Sequence, residues 1–163
     1  MAEGKNGIGP DGWARGPERE GEPGNGGGRM KKKDPVRGFL EERGCPRHVV
    51  EGGVPGLVRR WEQVVEETAK GYALTLDDYL NDLDGRQILE DILEALPNSA
   101  NDKIRERIRR ADRKMRGLVD PAGKCLWGSE VAETEGWTAE KNWWYFCRPR
   151  KADSDFLAEI DNI

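Results

Sequence analysis

Cys45, His48, Cys125 and Cys147 are the side chains in this sequence whose types suit metal ligation or nucleophilic chemistry. Cys45-Pro46-Arg47-His48 has the local spacing of half a zinc site, and Cys125 and Cys147 would bring the donors to four. The second half lacks a close Cys or His pair, so no metal is expected. His48 is the only histidine, so any Cys–His dyad has to use it. The chain has no G-x-S-x-G, no Walker loop and no H-E-x-x-H motif. No catalytic residue and no cofactor is expected.

The acidic run Asn81-Asp82-Leu83-Asp84-Gly85 has a superficial likeness to a calcium loop. With Gly85 at the sixth position, Leu80 falls at the first, where an oxygen ligand is required, and Ile88 at the ninth. Leu80 is needed instead for an apolar stripe, which argues against calcium.

Charge is split sharply along the chain. Asp77 to Glu94 contains seven acids against Arg86 alone, and Lys103 to Arg116 contains eight bases against Glu106 and Asp112. Two readings follow. In the first, the two elements are antiparallel neighbours joined by Pro97-Asn98-Ser99, and opposite charge selects their pairing. In the second, Arg105, Arg107, Arg109, Arg110, Arg113 and Arg116 bind the phosphates of a nucleic acid, with an affinity that falls steeply with salt. Charge runs are usually solvated faces, which favours the first.

Trp127, Trp137, Trp143, Trp144, Tyr145 and Phe146 crowd one short region. As a strand, Asn142 to Arg148 would place Trp143, Tyr145 and Cys147 on one face and Trp144, Phe146 and Arg148 on the other, with Lys124 to Trp127 as its hairpin partner. Most of these rings should fill the core. A two-sided aromatic strand leaves a remainder, so Trp144, Phe146, Arg148 and Arg150 are the expected contact surface for a partner protein.

Helices must position these groups. Leu57, Trp61, Val64, Val65 and Thr68 recur at three- and four-residue spacing, predicting a helix over 55–70 that opens at Pro55 and stops at Gly71. Thr75 and Asp78 make a capping-box start for a helix over 75–96, ended by Pro97. Its stripe changes phase at Asp84-Gly85, which predicts a kink or break there. A narrow seam, Ala100, Ile104, Ile108, Ala111, Met115 and Leu118, predicts a third helix over 100–119. Phe39 to Arg43 adds a short helical turn. The expected fold is mainly α: a small helical bundle with a Trp-rich irregular or short β-hairpin C-terminal segment.

The 163 residues divide into a Gly/Pro-rich leader (1–35), a helical domain (36–150) and an acidic C-terminal tail (151–163) that either docks as a short helix or frays. The leader holds Trp13 as its one aromatic residue before Asp34 and cannot bury enough apolar surface to order itself. Met30 offers an alternative translation start, because purine-rich glycine codons ahead of a Met resemble a ribosome-binding region read through.

Charged residues make up 36% of the chain, its net charge is -4, its mean hydropathy is -0.85 and its pI is near 5.3. Nothing approaches a membrane span or a secretory leader, and three scattered cysteines are not a disulfide framework. These features suggest a soluble cytoplasmic protein. By elimination, the expected function is a non-enzymatic protein–protein interaction or regulatory module, of the kind that small bacterial immunity-type proteins represent. Nucleic-acid association through the helix 103–116 is the alternative.

Overall fold

The computed structural model describes residues 34–163; the leader before Asp34, with its expected disorder and the alternative start at Met30, lies outside the described residues. Six helices and one short sheet follow in chain order: α1 Pro35–Glu42, α2 Arg47–Lys70, α3 Leu76–Ala95, α4 Asp102–Arg116, β1 Val119–Pro121, α5 Ser129–Glu135, β2 Cys147–Pro149 and α6 Ser154–Asp161. Single 3-10 turns occupy Pro97–Ser99 and Trp143–Phe146. The fold is mainly helical, with a small two-stranded antiparallel sheet near the C-terminus.

Local chemistry accounts for the helix starts. Asp34 caps α1 by accepting from Val36 N at 3.0 Å, with Pro35 in the first turn. Thr75 and Asp78 form the reciprocal capping box of α3, and Asn101 Oδ1 accepts from Ile104 N at 2.9 Å to cap α4. Helix α2 begins eight residues before the predicted Pro55. It is interrupted at Gly53, whose φ of 58° and ψ of -156° belong to a region that favours glycine, and Pro55 sits in the first turn after that break.

The predicted break at Gly85 does not exist: α3 is continuous from Leu76 to Ala95. Its stripe changes phase because the helix serves two cores in succession. Leu76, Tyr79, Leu80 and Leu83 pack with Trp61, Met115, Trp144, Tyr145, Phe156 and Ile160. Ile88, Leu89 and Ile92 pack with Leu40, Val54, Val58 and Ile108. Every residue from Asp82 to Leu89 is buried, so this stretch of helix has no solvent face.

Helices α3 and α4 were expected to pair directly through their charges. The direct ion pair between them, Arg86 with Asp112, has the charges the other way round, and α2 packs extensively against both. Helix α4 ends at Arg116 rather than at 119, since Gly117 caps it and Val119 already belongs to β1. The predicted strand over 142–148 is a 3-10 turn over Trp143–Phe146 followed by β2. The partner of β2 is β1, in the register Val119↔Pro149, Asp120↔Arg148 and Pro121↔Cys147. Lys124–Trp127 reaches the aromatic segment through one backbone bond, Leu126 N to Tyr145 O at 2.8 Å. The C-terminal stretch docks: α6 seats Phe156 and Ile160 in the core.

Candidate functional site

The polar residues in the middle of α3 are consumed inside the fold. Asp82 accepts from Tyr72 Oη at 2.7 Å and from Arg60, and Asp84 accepts from Trp127 Nε1 at 3.0 Å and from Tyr145 Oη. Arg86 binds Asp112 of α4, and its guanidinium lies 4.3 Å over the Trp144 ring. Gln87 Oε1 accepts from Asn142 Nδ2 at 2.8 Å, and Asp91 accepts from Arg43 of the loop after α1. The acidic run is therefore a clasp: residues on successive turns of one buried helix each hold a different part of the chain. Burial raises the Asp82 and Asp91 pKa values; hydrogen bonds and ion pairs pull against that rise without cancelling it. Burial beside the Asp84 charge holds the Tyr145 phenol protonated well above the usual range.

Of the expected contact residues, Trp144 is withdrawn into the core, while Phe146 and Arg148 stay partly exposed and Arg150 exposed. Trp144 is buried at 2% exposure beneath Arg86, because the 3-10 turn directs Trp143, Trp144 and Tyr145 all inward where a flat strand would have alternated them. Phe146 is half-buried. Arg148 pairs with Asp161 at 2.7 Å. Arg150 donates to Asp120 and to the carbonyls of Gly117 and Val119, tying the sheet to the end of α4.

The six arginines of the basic helix fall into distinct settings. Arg107 pairs with Glu62 and Lys114 with Glu66, so one edge of α4 is stitched to α2. The hydrogen bonds that Arg107 donates to Glu62 raise the Arg107 pKa, and the one from Lys114 lowers the Glu66 pKa. Arg105 donates to the Pro97 and Ala100 carbonyls, closing the turn before α4. Arg109 pairs with Glu106, and Arg116 lies 4.3 Å over the Trp143 ring. Arg110 and Arg113 are exposed, with no hydrogen bond or ion pair among the described residues; Lys103 is the same. At about 100° per residue, Lys103, Arg110, Arg113, Arg109 and Arg116 span an outward arc of about 140° in which Asp102 and Glu106 are the acids. This arc is the candidate site.

The four zinc-ligand candidates are dispersed. Cys45 packs against one core and Cys125 and Cys147 belong to the other, and no three His, Cys, Asp or Glu side chains converge among the described residues. Burial pushes the Cys45 thiol up to about 11, against the opposing charge of Arg43. Among the described residues no helix is long and apolar enough to cross a membrane. Fold and site together define a mainly helical domain with an internal polar clasp and one cationic outer face. Comparison of the chain with protein-family models, curated proteins and solved structures returns no match.

Proposed function

We propose that this protein is a non-enzymatic interaction module that docks an acidic face of a partner protein through the outward arc of α4. The observation that carries the reading is that Arg110 and Arg113 stand exposed without intramolecular partners, one helical step from Arg107 and Lys114, which are paired. Unpaired guanidinium groups are ready to make two-pronged bonds to carboxylates without first breaking an internal pair.

A protein partner is favoured over nucleic acid because the chain as a whole is acidic. A polyanion approaching from a distance meets that net charge, whereas a local acidic patch needs only the short-range field of the arc, within a screening length of about 8 Å. The aromatic side chains that would stack on bases are also largely inside the core.

A photo-reactive residue at position 110, with another at Glu133 on α5 as control, tests this in the native cell. The expected result is a discrete protein adduct at 110 that is absent at 133 and lost in R110E/R113E. A nuclease-sensitive adduct at 110, together with duplex DNA retention that falls steeply with salt, would transfer the arc to nucleic acid. No adduct at 110, or the same adducts at both positions, would refute the docking face.

A further inference from the structure

We propose that the cleft between the first half of α2 and the middle of α3 binds a small organic molecule carrying an oxyanion, either carboxylate or phosphate, on an apolar body. This is independent of the role given to α4. The cleft has a volume of about 420 Å³, at the small end of the range for metabolite sites.

Its α2 wall is built at regular intervals. His48, Gly52, Gly56 and Arg60 follow one another four residues apart, on both sides of the break at Gly53, and all four line the cleft. Apart from its own stretch of helix backbone, a methyl group added at Gly52 or Gly56 would meet no atom of the described residues within 4 Å. Neither glycine has a positive φ, so neither close packing nor backbone conformation requires glycine there, and glycine lowers helix propensity. What the two glycines do provide is an open channel between the imidazole of His48 and the guanidinium of Arg60.

The polar groups around that channel are mostly donors. Arg60 gives one Nη to Asp82 and holds the other 3.7 Å from Glu67, and its Nε–H makes no hydrogen bond among the described residues. Among the described residues Asp82 is the only acid lining the cleft, and both its oxygens are engaged, by Arg60 and Tyr72. The side chains of His48 and Asn81 make no hydrogen bond among the described residues and face the same space. Val49 and Leu57 supply apolar surface beside them. Three N–H-bearing side chains around an apolar floor suit an oxyanion joined to a hydrocarbon or aromatic body.

The test is an amide-shift titration of the full chain with benzoate, with phenyl phosphate and with uncharged benzamide. The expected result is saturable shifts confined to residues 48–60 and 81–82 with one or both anions, at a dissociation constant of about 1 mM, and none with benzamide. The stronger anion identifies the headgroup. Gly56→Leu fills the channel and should abolish the shifts while leaving Tm unchanged or raised, since the position is helical and open. Asn81→Ala should weaken binding about fivefold. Absence of saturable shifts with either anion up to about 10 mM, equal response to benzamide, or undiminished shifts in a folded Gly56→Leu chain would overturn the proposal.

Discussion

Arg86 and Asp112 form a two-pronged ion pair across the bundle, Nε to Oδ1 at 3.0 Å and Nη2 to Oδ2 at 2.8 Å, with the arginine side chain 5% exposed. Each is in the minority in its own segment: Arg86 is the one base among the acids of α3, and Asp112 is one of three acids among the bases of α4. Asp112 also accepts from Trp61 Nε1 at 2.8 Å, which brings α2 into the same junction.

Breaking this pair from one side leaves a largely buried charge without its two-pronged partner, Arg86 keeping Glu90 at 3.2 Å and Asp112 keeping Trp61 Nε1 at 2.8 Å. Arg86→Ala and Asp112→Ala are each expected to cost about 3–5 kcal/mol, whereas R86M/D112L should cost less than either single change. Urea unfolding of the four proteins measures the coupling. Additive losses would show that the two charges do not depend on one another.

Asp84 gives a second test of the clasp. Tyr145→Phe and Trp127→Phe each remove one donor from a carboxylate that is 1% exposed, and each should cost about 1–3 kcal/mol. The loss should be larger for Tyr145, which is fully buried, than for the half-buried Trp127. Unfolding midpoints indistinguishable from the parent chain would remove Asp84 from the clasp.

The helices were readable where one face is buried and the opposite face meets solvent. Leu57, Trp61, Val64 and Val65 mark α2, and Thr75 with Asp78 marks the start of α3, because spacing and capping are local signals. The continuity of α3 was not readable. A phase change at Gly85 means a kink if the helix has one buried side, and a handover between two cores if it is buried all round; only tertiary packing tells these apart. The same limit hid the clasp, since Asp82 and Asp84 are bound by residues 10 to 61 positions away in sequence. The Trp143–Phe146 turn defeated the alternation argument, because a 3-10 turn can bury successive rings that a strand must separate. For the candidate site, the arginines were visible but their division was not, as Glu62 and Glu66 lie on a helix that composition alone does not place beside them.

Asp82 sets a pH dependence with a definite sign. Its folded pKa is raised by burial, so the folded chain holds a proton that the unfolded chain has released. The stability it contributes is fully present below the ordinary aspartate value of about 4 and is lost as pH rises through the raised folded value. The stability of the parent chain relative to Asp82→Asn should therefore fall as pH is raised from about 4 toward neutrality. Urea midpoints across that range check the sign. A parent chain that gains on the variant with rising pH would mean that the bonds from Tyr72 and Arg60 outweigh burial.

Cys45 should be a poor nucleophile at neutral pH, since its thiol is pushed up to about 11. Iodoacetamide labelling of the native chain should be much slower there than for a free thiol, and should accelerate only in strong base or on unfolding. Rapid labelling of Cys45 at neutral pH would contradict its burial.

The account depends on the middle of α3, residues 82–89, being sealed on every side, which turns Asp82, Asp84 and Arg86 inward, while α4 keeps a cationic face toward solvent. Native-state amide exchange tests this most directly. The amides of residues 82–89 should exchange only through global unfolding, with an opening free energy equal to the whole stability of the domain, while those on the outer arc of α4 open earlier. Exchange of 82–89 at the rate of that arc, or sooner, would contradict it.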